Sequence, residues 1–87
     1  MRIKDGFVLR KLGTEYVAVA MGEARKEFNG LVRMNETGRF LWECLKTDKT
    51  AEELIICLCS EYDIGQDAAD IDVREFLDKL EGAEILV

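Results

Sequence analysis

Apolar positions follow two different rhythms along the chain. Up to Met34 they fall in short runs rich in β-branched and aromatic residues, Phe7-Val8-Leu9-Arg10-Lys11-Leu12 and Glu15-Tyr16-Val17-Ala18-Val19-Ala20, and such runs read as strands. Gly13-Thr14 between them predicts a hairpin, because glycine accepts the positive φ that a tight turn demands at its first central position. The polar stretch Gly22-Glu23-Ala24-Arg25-Lys26-Glu27 breaks the pattern. Asn29-Gly30 then marks a turn before Leu31-Val32-Arg33-Met34, a third strand expected to pair antiparallel in the same sheet.

From Asn35 onward the spacing becomes helical. Asn35 is an N-cap residue whose side chain can accept from first-turn amides, and Glu36 beside it suits the positive end of the helix dipole. The first helix is predicted over 36–46, with Phe40, Leu41, Cys44 and Leu45 on its buried face and Trp42 on the flank. Gly38 lowers its propensity but permits a close backbone approach. Thr50-Ala51-Glu52-Glu53 has the form of a capping box, so a second helix starts at 51 and runs to about Tyr62. After Asp63-Ile64-Gly65 a third helix spans about 66–81, with Gly82 as its left-handed C-cap. Ala69, Val73, Phe76, Leu77 and Leu80 form its core stripe, flanked by Ala68, Asp72 and Lys79, while Ile71 lies nearly opposite the stripe.

The expectation is therefore an α+β fold, winged-helix-like, with a three-stranded antiparallel sheet followed by three helices in a single domain over residues 1–87. Trp42, Leu54, Leu58, Val73, Phe76 and Leu77 should share its core. No apolar run approaches the ~20 residues a bilayer span requires, and no apolar signal core follows the charged N-terminus, so a cytoplasmic protein is expected. Cys44, Cys57 and Cys59 are an odd set that cannot close a full disulfide framework and are expected as buried free thiols.

Chemistry is sparse. There is no histidine, so no thiol has an imidazole base and the commonest transition-metal ligand is missing. Glycines form no phosphate-cradling loop, and the acids are spread over outer helix faces. No catalytic residue, metal or cofactor is expected. What remains is binding. A small sheet with helices can take a peptide as an added edge strand and seat its side chains against a neighbouring helix.

The ordered set Leu31-Val32-Arg33-Met34-Asn35-Glu36-Thr37-Gly38, Phe40-Leu41-Trp42, Leu45, Thr50-Ala51-Glu52-Glu53-Leu54, Leu58, Glu61-Tyr62-Asp63, Asp72-Val73, Phe76-Leu77 and Leu80 resembles the coenzyme PQQ synthesis protein D family. The similarity includes Gly6-Phe7-Val8-Leu9-Arg10 and centres on Asn35, Thr37, Gly38 and Trp42; the C-terminus from Glu81 to Val87 is an irregular version of the family's ending. The resemblance implies a peptide chaperone. Such a protein binds the leader of a ribosomal precursor peptide and presents it to a modifying enzyme, often of the radical SAM type, in PQQ or another modified-peptide pathway. It also implies that the leader lies antiparallel along the third strand, between Leu31, Val32, Arg33 and Met34 and the helix residues Ala68, Asp72, Phe76 and Lys79. A leader with an apolar anchor flanked by acidic residues and at least one basic one is expected. Proline at Val32 should remove an edge amide and leave the fold intact. A free edge also invites self-pairing, so the protein is expected to be a monomer or a weak homodimer.

The same architecture admits one alternative, a winged-helix DNA-binding regulator. Charge argues against it. Residues 1–34 carry a net +3 and residues 35–87 a net −9, and the last helix, which would enter the major groove, has six carboxylates against Arg74 and Lys79. No nucleic-acid partner is expected. A gel shift with mixed duplex at low salt should show no retained band; a band lost on substitution of Arg10 or Arg33 would contradict this reading.

Overall fold

A computed structural model describes residues 1–27 and 30–87, without the side chain of Glu27. In chain order the elements are β1 (Phe7–Leu12), β2 (Glu15–Ala20), α1 (Ala24–Glu27), β3 (Leu31–Met34), α2 (Glu36–Cys44), α3 (Ala51–Glu61) and α4 (Gln66–Gly82). The three strands make one antiparallel sheet in the order β1-β2-β3. The fold is α+β as expected, with four helices instead of three. The extra one, α1, is a single turn where sequence suggested only a break. Gly22 at φ 59° reverses the chain after β2, and bonds from Ala24, Arg25 and Lys26 amides to the carbonyls three residues earlier wind up the turn. Of the turn expected at Asn29-Gly30, Asn29 lies outside the described residues.

The register of the sheet follows from its first turn. Gly13 takes φ 67° and Thr14 does not share the positive φ, the type II′ arrangement that matches strand twist. Leu12 and Glu15 flank this turn as facing residues, so they exchange backbone hydrogen bonds. Bonded and non-bonded pairs alternate along an antiparallel ladder. Arg10 and Val17, then Val8 and Val19, are therefore also bonded pairs, and the backbone groups of Tyr16, Ala18 and Ala20 turn toward β3.

One face of the sheet, with Phe7, Ala18, Ala20, Val32 and Met34, closes over the helices. Leu41, Trp42 and Leu45 from α2 and its cap, Leu54, Ile55 and Leu58 from α3, and Ala69, Val73, Phe76, Leu77 and Leu80 from α4 complete a single core cluster. The core stripe of α4 and the exposure of Ile71 are as expected. On α2 the buried face is rotated: Trp42 is 2% exposed, whereas Phe40 and Cys44 are half-buried. Trp42 meets Phe7 edge-on at 6.2 Å, and the small Ala18 and Ala20 on that sheet face leave depth for an indole. Phe40 instead packs edge-on against Tyr62 at 5.6 Å.

Caps fix the helix starts. The Asn35 side chain accepts from the Gly38 amide at 2.9 Å. Thr50 and Glu53 form the reciprocal capping box. The end of α4 differs from expectation: Gly82 is helical, and the left-handed residue is Glu84 at φ 58°. The Ile85 amide donates to Leu80 O and the Glu84 amide to Glu81 O, the two bonds of a Schellman motif, which places Ile85 beside Leu80 in the core. Ile85 then anchors the C-terminal segment, where the Lys4 amide donates to Ile85 O and the Val87 amide to Arg2 O.

A non-glycine residue at left-handed φ costs about 1–2 kcal/mol, and glycine within a helix about 1 kcal/mol relative to alanine. Space around Gly82 is open. Glu84→Gly and Gly82→Ala should each stabilise the protein by roughly 0.5–1 kcal/mol and raise its melting temperature by about 2–8 °C. A lower melting temperature for Gly82→Ala would contradict this account of the helix end.

Candidate functional site

Among the described residues, the strand β3 has a partner on one side only. Because Tyr16 and Ala18 turn their backbone groups toward it, the facing residues Met34 and Val32 bond to β2, and Leu31 and Arg33 direct N–H and C=O to the open edge. A side chain identifies the same edge. Lys79 on α4 donates from Nζ to the Arg33 carbonyl oxygen at 3.0 Å, as a carbonyl turned away from β2 allows. An ammonium thus occupies one of the acceptors that an added strand would use.

Where this edge meets α2 and α4 the surface opens into a cleft of about 350 Å³, lined by Glu15, Met34, Asn35, Thr37, Gly38, Leu41, Asp72, Glu75, Phe76 and Lys79. Its floor is apolar: Met34, Leu41 and Phe76 are buried side chains. Gly38 makes the floor possible. A Cβ there would stand 2.8 Å from Met34 Cβ, so only glycine lets the first turn of α2 lie against the end of β3. The rim carries three carboxylates, Glu15, Asp72 and Glu75, against the one ammonium of Lys79.

Of the residues singled out from sequence, Met34, Asp72, Phe76 and Lys79 line the cleft, and Arg33 joins through its carbonyl group. The Arg33 side chain points to the outer face of the sheet, 3.8 Å from Glu15. Leu31 is exposed on that outer face, and Val32 is buried in the core with its amide committed to β2. Ala68 is exposed and does not line the cleft; it sits one helical turn before Asp72, past the cleft's end. Glu15, Asn35, Thr37, Gly38, Leu41 and Glu75 are cleft residues that sequence reasoning did not assign. For Gly38 the signal was its position in the first turn of a capped helix directly after a strand.

Beside the cleft, Arg39 bonds Glu36 and lies 5.8 Å from the centre of the Tyr16 ring. The Arg39 guanidinium, with help from the Tyr16 hydroxyl, holds the Glu36 carboxyl below its usual range, and the same carboxylate raises Tyr16. These groups orient one another. The three cysteines are free and half-buried instead of fully buried. Burial, followed by the nearby Cys57 thiol, pushes the Cys44 thiol up, away from the nucleophilic thiolate. Among the described residues no cluster of three His, Cys, Asp or Glu could hold a metal, and no helix is long and apolar enough to cross a membrane.

The model of the family described as Coenzyme PQQ synthesis protein D (PqqD) matches residues 9–86. No curated protein matches the sequence. Among solved structures, TbiB1 in complex with the TbiA(beta) leader peptide is similar to this chain with a TM-score of 0.73 and 26% identity, over 99% of this chain and 94% of the other.

The direction of the backbone groups corrects the expectation for proline at Val32. Val32→Pro removes an amide that bonds β2 and should destabilise the fold by roughly 1–3 kcal/mol. Arg33→Pro removes an amide that faces the open edge, where proline is tolerated. Circular dichroism melts should show a large loss for Val32→Pro and a change within a few degrees for Arg33→Pro. The reverse order would mean that the edge presents the other pair of residues.

Proposed function

The chain belongs to the coenzyme PQQ synthesis protein D family, and from that premise we propose that it is a non-catalytic peptide chaperone that binds the leader of a ribosomal precursor peptide by strand addition to β3. The reading also makes it a cytoplasmic recognition domain that presents the bound precursor to a modifying enzyme, a radical SAM protein, in PQQ or a related modified-peptide pathway. The observation that carries the proposal is the open edge of β3, with Arg33 directed outward beside an apolar cleft, in a chain whose structural neighbour is a leader-peptide complex.

The physics of such binding divides between backbone and side chains. Main-chain bonds to Leu31 and Arg33 supply sequence-tolerant affinity, and alternate peptide side chains meet the cleft of Met34, Leu41 and Phe76, which supplies selectivity. The cleft offers carboxylates, an ammonium and an apolar floor, groups that suit charged and apolar contact with a peptide. Lys79 gives the unloaded edge a charged guard, a device that disfavours edge-to-edge pairing of two copies and favours the monomer.

Isothermal titration with candidate leader peptides tests the proposal. Arg33→Pro should keep its circular dichroism spectrum and bind at least about tenfold more weakly, the equivalent of roughly 1.4 kcal/mol. Unchanged affinity in a folded Arg33→Pro variant would place the peptide elsewhere.

A further inference from the structure

The charges around the cleft are ordered along β3, and the order specifies the peptide. Lys79 stands at Arg33. The carboxylates of Asp72 and Glu75 precede the floor residue Phe76 on α4, whereas Glu15, at the end of β2, turns to the outer face and pairs with the Arg33 guanidinium. The cleft is thus cationic toward Arg33 and anionic toward Asn35, with the apolar floor of Met34, Leu41 and Phe76 between.

A strand added antiparallel, as every other pair in this sheet is, runs from the Asn35 end toward Leu31. Facing residues of an antiparallel pair put their side chains on the same face, and neighbours alternate. The peptide residue facing Arg33 therefore turns outward with it, while those facing Met34 and Val32 turn toward α4. The one facing Met34 enters the apolar floor. The next inward one, two positions C-terminal, faces Val32 and passes Lys79, whose ammonium must leave the Arg33 carbonyl so that a peptide amide can donate there. A displaced ammonium needs a new acceptor, and a carboxylate at that position provides it.

Resting on the leader-peptide reading of this edge, we propose that the site selects a peptide in which an apolar anchor is followed two positions later by Asp or Glu and preceded by a basic residue, and that Lys79 determines the acidic position. The basic residue meets Asp72 and Glu75. Lys79 is exposed on α4, so its charge can be reversed without touching the core.

Panning a phage-displayed random dodecapeptide library against the wild-type protein and against Lys79→Glu tests this. Wild type should enrich an aliphatic or aromatic residue followed at the second position by Asp or Glu; Lys79→Glu should enrich Lys or Arg at that position. A synthetic wild-type consensus peptide should bind wild type at least tenfold more tightly than Lys79→Glu. Both consensus peptides should lose binding to Arg33→Pro. Edge-dependent peptides with the same second-position residue from both proteins would overturn the role of Lys79 and leave the strand-addition reading standing. Failure to recover any peptide sensitive to Arg33→Pro would overturn that reading and this inference together.

Discussion

A turn two residues long decides which backbone groups the far side of the sheet offers. Gly13-Thr14 closes β1 onto β2 so that Leu12 and Glu15 form a bonded pair, and strict alternation carries that parity across β2 to β3. Leu31 and Arg33 are left with their donors and acceptors on the open side, where Lys79 covers the Arg33 carbonyl. A slip of one residue would reverse this parity but would also turn Val32 and Met34 out to solvent and Arg33 into the core, so the buried face holds the register that the turn sets. The glycine at φ 67° thus acts at a distance on a strand edge it does not touch.

The edge and the cleft belong together because of a second small residue. Gly38 lets α2 begin against Met34, which draws the first turn of that helix and the middle of α4 around the end of β3. The result combines a generic surface, the bare backbone of a four-residue strand, with a particular one, an apolar floor of set charge order. An unguarded strand edge is also an aggregation hazard. Lys79 covers the Arg33 carbonyl in the free protein, and in the proposed strand addition that bond is the one a peptide replaces.

Local signals made much of this fold legible. The hairpin, the third strand, the Asn35 cap, the Thr50 box and the α4 stripe each depend on residues a few positions apart, where short-range sterics and periodicity govern. Features set by tertiary contact were not legible. Trp42 sits in the core as expected, but that it, and not Phe40 or Cys44, forms the deepest part of α2's buried face depends on the alanines of the sheet above it. Glu84, and not Gly82, is left-handed because Ile85 has to reach the core beside Leu80. Among cleft residues, Met34, Asp72, Phe76 and Lys79 were assigned from family resemblance and strand-helix adjacency. Glu15, Thr37, Leu41 and Glu75 come from parts of the chain that only the closed fold brings together, and Ala68 shares a helix face with Asp72 but falls beyond the cleft.

Residue-resolved amide hydrogen exchange, with and without the precursor peptide, tests strand addition to this edge most directly. The account predicts an alternation: in the free protein the Val32 and Met34 amides, bonded to β2, exchange slowly and those of Leu31 and Arg33 fast, and the peptide slows Leu31 and Arg33 while leaving Val32 and Met34 nearly as they were. Protection spread evenly over the four residues, or confined to α4, would contradict it.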